Sequence, residues 1–201
     1  MPQLSNGFLE LTNIISNIAV TLAVIFGVVG LWQWRSEHTW KTKFEVARKM
    51  VQLSLKFRDE FRRVRYVGTF LEESFERKQG ADEMPNETKV LDEQFVRWRR
   101  LRPLQDTLRN LYEVGWEAEV ILSEDDAKLV QLFEKLFQEL YFAIELYFGS
   151  QLDQAKRQIE VDNEEMTKYR NIIYGYEGDE IFELVDSAAD TVKKQLKKYI
   201  R

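Results

Sequence analysis

The chain contains no cysteine and one histidine, His38. Without thiols there are no disulfides, no thiolate nucleophile and no cysteine-ligated zinc. A lone histidine cannot supply a His pair for a metal, and histidine-assisted nucleophilic catalysis rests on His38 or on nothing. Proline and glycine are sparse, at 3 and 9 of 201 residues, and no segment alternates with period two. Turn-rich β architectures are therefore not expected. No Gly-rich phosphate loop is present; Gly175 and Gly178 read as turn glycines. Basic residues are absent before Arg35. The net charge of −5 argues against general polyanion binding by the chain as a whole.

What is present is one long apolar run. Leu11 to Trp34 is charge-free, bracketed by Glu10 and Arg35. A helix of about 24 residues at about 1.5 Å each reaches about 36 Å, enough to cross a hydrocarbon core of about 30 Å with some tilt. We read residues 1–10 as a short extracytoplasmic N-terminus, 11–34 as a transmembrane helix and 35–201 as a cytoplasmic domain. Orientation follows from Arg35, Lys41, Lys43, Arg48 and Lys49, which all lie after the span. Trp32, Trp34 and Trp40 fall where an inner aromatic belt would sit, which also places His38 at the interface. A cleaved signal peptide would need a basic start, a shorter apolar core and small residues at the cut, none of which is seen. The expected location is a bacterial inner membrane.

Beyond the span, helical spacing dominates. Val46, Met50, Leu53, Phe57, Phe61, Val64 and Leu71 define one apolar face, and the helix continues from the span without a breaker until Gly68. Residues 80–87 form a loop. A second helix from about Thr88 carries Leu91, Phe95, Trp98, Leu101, Leu104, Leu108 and Leu111, with Pro103 expected to kink or divide it. Ser123 caps a third, central helix from Asp125 to about Phe148, ended by Gly149. A polar helix from Gln151 to about Tyr174 follows. Asp179 caps a last helix bearing Ile181, Leu184, Val185, Ala188, Val192, Leu196 and Ile200. The fold class expected is all-α: one N-terminal transmembrane helix continuing into a cytoplasmic antiparallel helical bundle.

Two features rise above this scaffold. Within the span, Ala19, Ala23, Gly27 and Gly30 make a small-residue face that admits close helix approach, hence a homo-oligomer. About 120° away, Asn13, Asn17 and Thr21 form a polar stripe, either a pore lining or groups sitting among lipid headgroups. In the domain, arginines cluster at Arg58, Arg62, Arg63 and Arg65 and again at Arg97, Arg99, Arg100 and Arg102. Rise arithmetic places both clusters about 40 Å from the bilayer, beyond the reach of headgroups at a Debye length of about 8 Å. They either bind a polyanion such as RNA or pair with acids of later helices or of a neighbouring subunit. Trp98 either stacks a base or packs in the core. The acidic runs 124–126 and 162–165 are explained by helix capping and a wet face, so no metal, cofactor or catalytic residue is assigned.

The junction Trp34-Arg35-Ser36-Glu37, the run Lys43-Phe44-Glu45-Val46-Ala47, the aromatic helix with its arginine pair and the turn Tyr174-Gly175-Tyr176-Glu177-Gly178-Asp179 resemble an uncharacterised group of bacterial single-pass helical membrane proteins. That resemblance runs end to end and implies architecture alone. In layout the chain is also similar to the membrane-anchored accessory proteins of type VI CRISPR loci, which join one span to a degenerate HEPN-like bundle and form membrane rings. A HEPN ribonuclease needs Arg and His about one turn or slightly more apart, a pattern Arg35–His38 is too short to meet. The function expected is a pore-like or membrane-perturbing effector in antiviral defence. The alternatives are a tether for a cytoplasmic protein partner or a degenerate HEPN-type RNA binder.

Overall fold

The computed structural model describes residues 3–68, 73, 76–157, 164–175 and 179–200, with side chains from residue 16 onward. The described residues form helices α1 (Gln3–Arg65), α2 (Pro85–Ile121), α3 (Glu124–Ala127), α4 (Val130–Arg157), α5 (Glu164–Ile173) and α6 (Glu180–Ile200). Among the described residues there is no strand, only an isolated parallel bridge between Tyr66 and Gly175. The chain divides into two compact units, Met1–Phe44 and Glu45–Arg201.

The first unit is a helix without a covering layer. Every side chain from Ser16 to Lys41 is exposed, including Ile18, Leu22, Ile25, Phe26 and Leu31. Among the described residues, α1 alone is long and apolar enough to cross a membrane, a property that a span and a signal sequence share.

The second unit owns a core. On α1 the spaced residues Val46, Met50, Phe57, Phe61 and Val64 are buried, while Leu53 is partly covered and Leu71 lies outside the described residues. α4 packs against α2, α5 and α6, and supplies Phe133, Leu140, Ile144 and Phe148. Leu184 and Ile200, both on the expected apolar stripe of the last helix, are instead exposed.

α2 starts at Pro85, inside the expected 80–87 loop, and three further boundaries differ from the sequence reading. Pro103 does not divide α2, which runs unbroken from Pro85 to Ile121. The proline is on the exposed side, where water can serve the carbonyl its ring leaves unpaired. Gly149 does not end α4. An exposed glycine costs about 1 kcal/mol relative to alanine, too little to stop a helix anchored by buried Ile144 and Phe148. The polar helix accordingly starts at Glu164, with residues 158–163 outside the described set. Third, the Ser123 start yields a single turn, α3, before the chain bends at Lys128 and Leu129 and restarts as α4. Both expected caps are present: Ser123 Oγ accepts from the Asp126 N–H at 3.2 Å, and Asp179 Oδ1 from the Phe182 N–H at 2.8 Å.

Asp126 ties α3 to α6. Its carboxylate is fully buried and accepts from Ser123 Oγ (2.7 Å), Tyr199 Oη (2.9 Å), Gln195 Nε2 (3.1 Å) and Lys198 Nζ (3.3 Å). Burial alone would push this carboxyl up; the four hydrogen bonds outweigh it and hold the group below the usual Asp range. A carboxylate depressed in the folded state contributes stability above its unfolded pKa and loses it as pH falls through the folded one. Urea midpoints of the wild type should therefore drop between about pH 5 and about pH 3 more steeply than those of Asp126→Asn. Equal slopes would show that the cluster does not favour the charged form.

Candidate functional site

The two features singled out in the sequence fall in separate units. In the first unit, Ala19, Ala23, Gly27 and Gly30 are exposed, and a Cβ built on Gly27 or Gly30 meets nothing within 4 Å. The small-residue face is thus open along the helix. On the polar stripe, Asn17 and Thr21 are exposed, and the Asn13 side chain lies outside the described residues. Thr21 Oγ1 donates to the Asn17 carbonyl at 2.8 Å. A hydroxyl that bonds back one turn satisfies its proton within its own helix, and so tolerates lipid as readily as water.

Past the charge-free run, aromatic and basic groups alternate. Trp34 stacks on His38 with ring centroids 5.7 Å apart, and Trp40 on Phe44 at 5.5 Å. The histidine therefore has an aromatic neighbour one turn away. Thr39 Oγ1 donates to the Arg35 carbonyl at 2.8 Å and Thr42 Oγ1 to the His38 carbonyl at 3.0 Å.

In the second unit the arginines do not form one surface. Helix ends leave backbone carbonyls without intrahelical donors, and here guanidinium groups from elsewhere in the chain supply them. Arg97 Nη1 donates to Val64 O and, at 2.8 Å, to Tyr66 O. Arg100 Nη1 donates to Tyr66 O at 3.0 Å, and its Nη2 to Gly68 O at 2.7 Å. These two side chains close the C-terminus of α1, where the helix dipole favours cations. Arg65 returns the arrangement to α5, donating to Ile172 O at 2.7 Å and Asn171 O at 2.9 Å. It also forks onto Asp179 at 2.9 and 2.8 Å. Asp179 thus caps α6 and balances Arg65 at once.

Arg65 and Arg97 are fully buried and Arg100 nearly so; Arg97 lies 4.5 Å from the centroid of the Tyr174 ring, and Arg100 forks onto Glu73. Burial pushes the Tyr174 phenol well above its ordinary value, reinforced by its hydrogen bond to Glu93 at 2.7 Å. Arg65 and Arg97 are therefore held inside the fold, Arg97 with its Nε and Nη2 lacking a hydrogen-bond partner among the described residues, and Arg100 is tied to Glu73 at the edge of the fold. Arg62 meets Asp186 of α6 beside the Phe182 ring, Arg99 meets Glu76 at 2.9 Å, and Arg63 and Arg102 are exposed. A cleft of about 410 Å³ beside them is lined by Arg63, Arg99 and Arg100 but also by Glu60, Glu73 and Glu76. Three acids against three bases leave it no excess of positive charge. Trp98 sits edge-on to Tyr141 at 5.1 Å, packed against the core.

Two anchors depart from the sequence reading. One is Asp126, expected as a capping acid on a wet face and found fully buried. The other is Arg77, which pins the loop before α2 by pairing with Glu83 and with Asp92 of α2. Hydrogen bonds from Arg77 and then from the Gly80 N–H hold the Glu83 carboxyl down at about 2. Among the described residues no three His, Asp or Glu side chains converge as a metal ligand set.

Together these observations define an all-helical chain with a long, uncovered apolar helix near its N-terminus. Comparison with protein families, with curated proteins and with solved structures finds no match for the chain.

Proposed function

We propose that the protein is a single-pass membrane tether that holds its helical domain at the inner face of a bacterial membrane for a protein partner. One observation carries this reading: the apolar side chains of residues 18–34 are exposed without exception, while the second unit completes a core of its own. Transferring that apolar surface from water to lipid is favourable by roughly 25 cal/mol per Å². The Trp and basic residues that follow it suit the headgroup region, and the basic bias supports a cytoplasmic side for the domain. Internal use of Arg65, Arg97 and Arg100 weakens the RNA-binding alternative.

A pore-like effector remains the second reading, favoured by the exposure of Asn17 and Thr21 on a face apart from the small residues. Against it stands the Thr21 hydroxyl, already donated to its own helix. In bacterial cells expressing the protein, we expect it to stay with the membranes on alkaline extraction while the cells exclude a membrane-impermeant dye. Release into the soluble fraction overturns the anchor. Dye entry that Asn17→Leu suppresses at equal abundance overturns the tether in favour of the pore.

A further inference from the structure

Resting on the reading of the apolar helix as a span, we propose that the helix face just past it binds the phosphate of an anionic phospholipid headgroup. A shallow groove of about 380 Å³ there is lined by Trp32, Arg35, Ser36, Thr39, Trp40 and Lys43. At about 100° per residue these six positions share an arc of about 140°. The acids nearest in sequence, Glu37 and Glu45, fall on the opposite side together with Lys41. The face thus carries two cations and no carboxylate.

Its chemistry matches a phosphodiester between glycerol and acyl chains. Trp32 and Trp40 are 74% and 50% exposed, with no protein layer over them, which suits the boundary between acyl chains and headgroups. Lys43 leans toward the helix N-terminus, the bilayer side, because Cα–Cβ bonds tilt that way. Arg35, at the edge of the charge-free run, has a stem long enough to snorkel toward water, and both cations line one groove with Ser36 and Thr39. The Thr39 hydroxyl is already donated to the Arg35 carbonyl, leaving its oxygen only to accept. The donors facing the phosphate are therefore the guanidinium, the ammonium, the Ser36 hydroxyl and the indole N–H groups. Each cation near an anionic leaflet adds roughly a fivefold preference, so losing both should weaken binding more than tenfold.

The test uses the full chain in a neutral detergent, titrated with a short-chain phosphatidylglycerol and followed by tryptophan fluorescence. We expect a saturable change that short-chain phosphatidylcholine does not reproduce. Its midpoint should rise more than tenfold in R35A/K43A and stay within about twofold of wild type in K41A, on the opposite face. Equal responses to the two lipids, or equal losses in both variants, would falsify the site. Full competition by millimolar inorganic phosphate would reassign it to a free anion and overturn the lipid. Flotation with phosphatidylcholine vesicles separates the two levels of the argument. A chain that floats but does not distinguish the lipids loses this site alone; a chain that does not float loses the membrane anchor.

Discussion

Arg65→Ala should cost about 3–5 kcal/mol of the folding free energy, among the largest losses of any single substitution in the second unit. Arg65 is fully buried and Asp179 only 13% exposed, so deleting the guanidinium strands a carboxylate where water barely reaches. It also takes the donors from two α5 carbonyls. Gly175→Ala should reproduce part of the loss without touching either charge. A Cβ at Gly175 would lie 2.7 Å from Arg65 Cζ and 2.7 Å from Asp179 Oδ2, so the pair must part; about 1–3 kcal/mol is expected for such overpacking. Arg109→Ala is the control, because its pair with Asp106 is about two-thirds exposed and worth at most about 1 kcal/mol. Pulse proteolysis across a urea series in mild detergent measures all three. A loss below about 1 kcal/mol for Arg65→Ala would mean that the pair is hydrated and the corner open.

The second large effect tests whether α1 belongs to the core of the second unit. Phe57 of α1 and Phe133 of α4 are both fully buried, with ring centroids 5.0 Å apart in an edge-to-face arrangement. Either Phe→Ala change should cost about 3–5 kcal/mol through lost transfer energy and the cavity left behind. The double variant should cost less than the two single losses added together, by about 0.5–1.5 kcal/mol, because the ring contact can be lost only once. Strict additivity would show that the rings do not touch and that α1 is packed elsewhere.

The helices themselves were legible because spacing is a local signal. Val46, Met50, Phe57, Phe61 and Val64 repeat at helical intervals and are buried; Ser123 and Asp179 cap the helices they precede. Gly149 misled because a glycine weighs about 1 kcal/mol locally, and packing on either side of it weighs more. The arginines misled through their residue type. Arg65 follows Phe61 by four, and Arg97 precedes Leu101 and Leu104 by four and seven, so both sit in phase with the apolar stripe. That phase marks them as inward-facing, whereas their charge suggests the surface. Their partners could not be read at all, because Asp179, Ile172 and Tyr66 come near only once the helices have packed.

The closure at Arg65 also sets a clock for synthesis. Arg65 and Asp179 are 114 residues apart in sequence. At about 5–20 residues per second, the ribosome needs roughly 6–23 s to reach Asp179 after adding Arg65. Throughout that interval the Arg65 guanidinium lacks its partner carboxylate. Local helices form in about a microsecond, so chain elongation and not helix growth limits the sealing of this corner. The nascent protein therefore spends its first seconds with a formed N-terminal helix and an unfinished domain. A chain truncated before Asp179 would remain in that unfinished state.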